Sequence, residues 1–439
     1  MDTVKRSNFR WTLAVFAMLM TFMSYMDRVN LSVATPAIIE ELHFTKIEIG
    51  MMQTVFFVCY ALFQMPSGTA TEFFGHRKIL PFALTWWSFF TSITAACQQL
   101  WSWLVIRGLF GIGEAPVFPA LNAAFSNWFP KHERAKAVGF MLMGTYSGPI
   151  VGMPLAVFIM VNWGWKWVFV SFGLMGLVIA LGYWVLIRTH PHESSFVNAA
   201  ELQYITDGRE FVTDDKKIMP PWRDFFGSSQ FWAIGLQLGM ANYISYVFMS
   251  WLPLYLMEAR HFSLTEMGFA AALPSIGIVL GNWVCAFVSD YLLKRGVSKN
   301  KIRTPFATVG LLLCCAGLYL AATETDRWMT VMWLSIALAF LGFNMNSAWT
   351  SCTDIAGRFS GTVSGWMNLC GNLIGATAPP LTAWIVTVYG WDSAILATGI
   401  AGIIGAVIWQ FVKPDKPLQH RYLVETQGSG TGAGTAESA

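Results

Sequence analysis

Apolar residues fall in long blocks along this chain, not in alternation. Blocks of about 20 residues, the length that crosses a bilayer core as a helix, recur at roughly 11–34, 47–69, 79–98, 100–126, 135–160, 166–188, 229–256, 265–291, 304–323, 328–352, 360–388 and 391–412. Barrel strands would alternate apolar and polar at every second position. The pattern therefore predicts an all-α membrane protein with twelve transmembrane helices.

A polar stretch between the sixth and seventh blocks divides the chain. The expected organisation is a six-helix half at 1–188, a cytoplasmic central loop at 189–228, a second half at 229–413 and a disordered cytoplasmic tail at 414–439, rich in Gly, Ser and Thr. A short amphipathic piece, Ala199 to Ile205, lies in the loop. Lys and Arg placement orients the whole. With both termini inside, only Lys46, Lys166, Arg260 and Arg327 fall outside, Arg28 and Arg107 fall within spans, and the rest lie on the cytoplasmic side, as cytoplasmic loops require. The expected topology is N-in/C-in, with Trp101, Trp103, Trp163, Trp165 and Trp167 near the outer ends as interface anchors.

Composition agrees. Only 12% of the 439 residues are charged and mean hydropathy is +0.50, against about 25% charged in a soluble domain. The net charge of +3 gives no reason to expect nucleic-acid binding. The seven cysteines lie in or at the ends of apolar blocks with no CxxC pair, and the seven histidines lie in loops or at helix ends. An intramembrane metal site, a cofactor or an enzyme has little to build on.

Four charges lie inside the blocks away from their ends: Asp27 and Arg28 in the first, Arg107 and Glu114 in the fourth. Each costs roughly 2.5–3.5 kcal/mol at a helix centre, and such residues mark substrate or ion routes. Asp27 and Glu114 are candidate proton carriers. Their structural alternative is ion pairing, Asp27 with Arg107 and Glu114 with Arg28 or Arg107. Arg28 is the candidate anion anchor, because a guanidinium fork matches a carboxylate bidentately. Arg107 is expected to tune the acids. Asn242, Tyr243, Tyr246, Asn346, Trp349, Asn368 and Asn372 could meet hydroxyl groups or only bond neighbouring helices.

Weak repeats relate the halves. Gly68-Thr-Ala-Thr-Glu72 ends the second block and Ala286-Phe-Val-Ser-Asp290 the eighth; Arg134 follows the fourth and Arg358 the tenth. This predicts two pseudo-symmetric halves rocking about a central site.

Gly68-x-x-x-Glu72-x-x-Gly75-His76-Arg77-Lys78 resembles the loop signature of the major facilitator superfamily, with Glu72 where Asp is usual and Phe73 where a basic residue is usual. Tyr25-Met-Asp27-Arg28-Val-Asn30, Arg107-Gly-Leu-Phe-Gly-Ile-Gly-Glu114-Ala-Pro and Trp128-Phe-Pro-Lys-His-Glu133-Arg134 resemble its anion:cation symporter family, nearest the bacterial sugar-acid branch. Ala200-Glu201-Leu-Gln-Tyr204 in the loop fits that branch, while Thr145 stands where Gln is common. The resemblance implies proton coupling through Asp27 and Glu114 and substrate binding at Arg28, Tyr25, Tyr60, Trp349 and Asn368. It implies a gate at Gly68, Glu72, Gly75, Arg77, Arg134, Asp290 and Arg358.

The expected function is a proton-coupled symporter that imports a small organic anion, a sugar acid, across the bacterial inner membrane. It would act as a monomer, with protons, anion and lipid bilayer as partners and no cofactor. The alternative is an exchanger or facilitator of the same fold in which both acids are structural.

Overall fold

The computed structural model describes residues 6–207 and 220–418, and side chains at all of these except Arg358. Their regular structure is helical. The first six rods are α1 (Arg10–Leu42), α2 (Lys46–Phe74), α3 (His76–Thr94), the broken pair α4 (Leu100–Glu114) and α5 (Val117–Trp128), α6 (Lys131–Trp163) and α7 (Trp165–Leu186). Two short helices, α8 (Ala199–Asp207) and α9 (Trp222–Phe226), belong to the connecting stretch. The last six rods are α10 (Ser229–Glu258), the pair α11 (Leu264–Ala270) and α12 (Ala272–Lys294), α13 (Lys299–Thr323), α14 (Arg327–Ala356), the pair α15 (Ser360–Gly375) and α16 (Ala378–Tyr389), and α17 (Trp391–Trp409). The expected amphipathic piece of the loop is α8. Most of the expected tail, from 419 on, lies outside the described residues.

Among the described residues, nine rods are long and apolar enough to cross a membrane. The other three, α1, α3 and α10, carry more polar positions; α1 alone buries Thr21, Ser24, Asp27, Arg28, Asn30, Ser32 and Thr35. Helix α1 also runs past the expected end at 34 to Leu42, where His43 turns left-handed at φ 56°. The α4–α5 break falls at Ala115–Pro116, since Pro116 has no N–H to continue the ladder. Glu114 is thereby the last residue of α4.

The contact pattern repeats between the halves. In the first, α1 packs on α6 and α7, α3 on α4 and α7, and α2 on α4; in the second, α10 packs on α15 and α17, α13 on α14 and α17, and α12 on α14. Local signals repeat as well. Thr45 with Glu48 and Ser263 with Glu266 form capping boxes at the starts of α2 and α11, each satisfying two orphan N–H groups. Gly164 (φ 89°) and Gly390 (φ 83°) each make the one-residue turn into a following Trp, at α6–α7 and α16–α17. A side chain with a Cβ resists that backbone.

Within the first half, Gly144, Gly148 and Gly152 form a stripe on α6 facing Met18, Phe22 and Met26 of α1; a Cβ at Gly148 would lie 2.8 Å from the Phe22 carbonyl oxygen. Small residues at this spacing let helix backbones touch, and the contact fixes the register of α1. Across the halves, α1 meets α10, α2 meets α15 and α16, and α6 meets α11 and α12. On the outer side, taking orientation from the Lys and Arg pattern, Lys46 pairs with Glu258 at 2.7 Å and the Thr54 hydroxyl donates to the Ala376 carbonyl at 2.8 Å. A Cβ on Gly50 would lie 2.9 Å from the Pro379 carbonyl oxygen and from Pro380 Cα.

Candidate functional site

Asp27 and Arg28 are neighbours in sequence but point about 100° apart on a helix. Asp27 and Asn30 lie one turn apart and face α3 and α4. There Trp87 Nε1 donates to Asp27 Oδ2 at 3.2 Å, and Arg107 Nη2 donates to Asn30 Oδ1 at 3.3 Å. Ser24 and Arg28, four apart, face Glu114. Arg28 Nε donates to Glu114 Oε1 at 2.7 Å, and the Ser24 hydroxyl donates to the same oxygen. The ion pair is buried on both sides. Of the two pairings left open for Glu114 by the sequence, the structure has Arg28. Arg107 makes no salt bridge with Asp27 and uses Asn30 instead.

Arg28 is enclosed by aromatic faces. Its guanidinium carbon lies 4.6 Å from the Tyr25 ring centroid, 4.6 Å from Tyr60 and 5.3 Å from Phe56. Such a cage holds a cation by the ring quadrupoles and leaves the fork's edge for hydrogen bonding. Each of the four charged residues keeps one buried atom without a hydrogen-bond partner: Asp27 Oδ1, Arg28 Nη2, Arg107 Nε and Glu114 Oε2. Buried charges are costly unless fully bonded, so the cluster has unused capacity for a proton or an anion.

A chain of polar groups joins this cluster to the second half. Gln64 Nε2 of α2 donates to the Tyr60 hydroxyl at 3.2 Å, and Gln64 Oε1 accepts from Asn368 Nδ2 of α15 at 2.8 Å. Asn368 Oδ1 accepts from Asn372 Nδ2 at 2.9 Å, and Asn372 Oδ1 accepts from the Tyr246 hydroxyl at 2.5 Å. The Tyr246 ring stacks on Phe57 of α2 at 3.8 Å. Tyr25, Tyr60 and Asn368 are thus brought together with Arg28. Trp349 stands apart, 42% exposed. Reading the sequence missed Gln64; its only signal is an amide four residues after Tyr60.

Hydrogen bonds and salt bridges join none of the described side chains of the expected gate to another. Glu72 and Asp290 are exposed. Arg134 donates to the Phe129 and Ser126 carbonyls at the end of α5, both at 3.2 Å. Gly68 sits beside Pro119, Gly75 takes φ 77° between α2 and α3, and the Arg77 guanidinium lies 5.1 Å from the Trp184 ring. The Arg358 side chain lies outside those described.

A buried cluster at the cytoplasmic end of the first half went unforeseen. Arg10 donates to Glu133 and to Glu201, both at 2.8 Å, and Tyr204 donates to Glu133 at 3.0 Å. Glu201 also accepts from the Ser7 hydroxyl at 2.5 Å and from the Phe9 and Arg10 N–H groups at 2.8 and 3.1 Å. Burial opposes charge on the Glu201 carboxyl, but these donors win and hold it below the usual carboxylate range. Helix α8 is thereby fastened to the start of α1 and of α6.

Twelve rods in two repeating sets, with buried charges in one and a polar chain into the other, define a secondary membrane transporter. The chain belongs to the Major Facilitator Superfamily, whose family model matches residues 17–379; it is a multi-pass membrane transporter and not an enzyme. It is 31% identical over 421 residues to the D-galactonate transporter of Escherichia coli O6:H1, covering 92% of this chain and 96% of that one. It is 28% identical to the probable galactarate/D-glucarate transporter of Bacillus subtilis, covering 92% and 91%. Among solved structures, it shares its fold with a bacterial homologue of the human lysosomal transporter Spinster, with TM-score 0.77 at 18% identity, covering 93% and 98%.

Proposed function

We propose that the protein is a proton-coupled symporter that imports a small organic anion, a sugar acid, across the bacterial inner membrane by alternating access. The relatives named for galactonate and for galactarate/glucarate support the substrate class. The coupling reading rests on one observation, the buried contact of Glu114 Oε1 with Arg28 Nε at 2.7 Å.

Glu114 is an internal carboxylate seated on the guanidinium that would grip a substrate carboxylate. The two compete for one cation. A proton taken from outside neutralises Glu114 and frees the Nε edge, next to the unpartnered Nη2, as a bidentate fork. When Glu114 loses that proton towards the cytoplasm, it returns to Arg28 and displaces the substrate. Asp27 provides a second proton position, with Arg107 as a nearby counter-charge. The Gln64–Asn368 chain supplies amide donors and acceptors for hydroxyl groups and links binding in the first half to movement of the second. One proton carried with a monoanion is electroneutral; two would make uptake respond to membrane potential.

The same ion pair would suit an exchanger in which both acids are structural. Uptake of galactonate and glucarate into proteoliposomes, with and without an inward proton gradient, separates the readings. Concentrative uptake that collapses with a protonophore supports symport. Equal accumulation in both conditions, or uptake only against internal anion, removes it.

A further inference from the structure

Between α3 and α7 lies a cavity of about 580 Å³ lined by Phe74, Lys78, Phe82, Thr85, Leu181 and Trp184 among others. That volume is within the range of ligand sites. Its mouth is where α3 begins and α7 ends. Lys78 is in the first turn of α3 and Trp184 in the last turn of α7. Thr85 lies seven residues further along α3, and Leu177, also in the lining, seven residues back along α7. The groove therefore runs about 10 Å along both axes. With both termini inside, the mouth lies at the cytoplasmic leaflet.

The two ends differ in chemistry. Deep in the groove the walls are rings and aliphatic chains apart from Thr85, and Phe82 and Leu181 are 63% and 65% exposed. One cation, Lys78, lines the mouth, and a second, Arg77, adjoins it. Lys78 is exposed, and its ammonium makes no hydrogen bond or salt bridge among the described residues. Arg77 lies against the Trp184 ring, and its Nε is buried without a partner.

We propose that this groove binds one anionic phospholipid of the cytoplasmic leaflet, its phosphate between Lys78 and Arg77 and an acyl chain along Phe82 and Leu181. The occupant must lie in the membrane, because the walls face the lipid. It must be anionic at the leaflet surface, because the mouth carries positive charge there. The cytoplasmic leaflet is the one enriched in anionic lipid, and basic pockets between helices on that side bind such headgroups.

The test is native mass spectrometry of the purified full-length protein, titrated separately with phosphatidylglycerol and phosphatidylcholine. Wild type is expected to retain one phosphatidylglycerol at roughly tenfold lower lipid concentration than phosphatidylcholine, a charge-and-phosphate preference of ordinary size for charge-assisted bonds. Lys78→Gln and Lys78→Glu should abolish the preference, and Leu181→Trp, which fills the groove, should lose the adduct. Lys299→Glu, a surface charge elsewhere, should change neither. Equal retention of the two lipids by wild type would overturn the proposal. So would an unchanged preference in both Lys78 variants, an equal loss in Lys299→Glu, or a dimer that forms in place of the lipid adduct and is lost in Leu181→Trp.

Discussion

Gln64 and Asn368 join two different six-helix sets through one amide-to-amide hydrogen bond of 2.8 Å. Their other contacts run in opposite directions, Gln64 to Tyr60 in the Arg28 cage and Asn368 to Asn372, which in turn accepts from Tyr246. Movement of one half relative to the other must break or stretch this bond. A polyhydroxy substrate offers replacement partners.

Gln64→Ala should therefore raise KM for a sugar acid by about two- to tenfold, the worth of one net hydrogen bond, and affect a deoxy analogue less. Gln64→Glu should keep the shape but place a negative charge beside the anion site and weaken binding further. Initial uptake rates over a concentration series check both; an equal KM change for hydroxylated and deoxy acids would remove Gln64 from hydroxyl recognition.

Arg28→Lys should reduce uptake severely, because an ammonium cannot offer Nε and Nη2 together as a planar fork or fill the Tyr25–Tyr60 cage. Arg28→Ala should abolish anion binding. Thermal shift with galactonate or glucarate reads this directly, since a ligand of the folded state raises apparent stability. Wild-type shifts in Arg28→Ala would move the anion site elsewhere.

Glu114→Gln removes the internal competitor for Arg28. Binding of the anion should strengthen at neutral pH and depend less on pH, while net uptake slows. Asp27→Asn should still bind and exchange substrate but fail to concentrate it. Binding and uptake as functions of pH, for wild type and both variants, are the measurements. Three identical profiles would leave both acids structural, and normal accumulation by Asp27→Asn would confine coupling to Glu114.

Glu201 offers a stability test away from the membrane. Its carboxyl titrates below its ordinary value of 4.5 because the Ser7, Phe9 and Arg10 donors outweigh burial. A group whose folded pKa is depressed stabilises the protein above the unfolded value and loses that contribution as pH falls through the folded one. Glu201→Gln should cost about 1.5–3 kcal/mol of stability at neutral pH, the worth of charge-assisted bonds, and lower Tm accordingly. The gap from wild type should narrow as pH drops below about 4.5. A gap that is constant with pH would show that packing of α8, not its carboxylate, matters.

Much of the fold could be read from the chain because a bilayer demands long apolar blocks, and Asp27, Arg28, Arg107 and Glu114 stood out for breaking them. Their partners could not be read so simply. The choice of Arg28 over Arg107 for Glu114 depends on how Pro116 ends α4 and how the Gly144–Gly148–Gly152 stripe sets α1 against α6. Gln64 was hidden because one amide in an apolar helix looks the same whether it meets a neighbour or a substrate. Glu201 was visible as part of a family-like loop segment. Its bond to Arg10, 191 residues away, exists only once the loop folds under the first half.

The outer contact between the halves is largely a matter of shape. Gly50 brings the α2 backbone against Pro379 and Pro380, and a closure made by backbones in van der Waals contact carries no charge for salt to screen. The Lys46–Glu258 pair beside it is partly exposed and contributes little in water. A cell whose surroundings swing from dilute to briny would then find this entrance equally shut in both. What unlatches it must come from inside the protein, as a proton or a substrate, and not from the ionic weather outside.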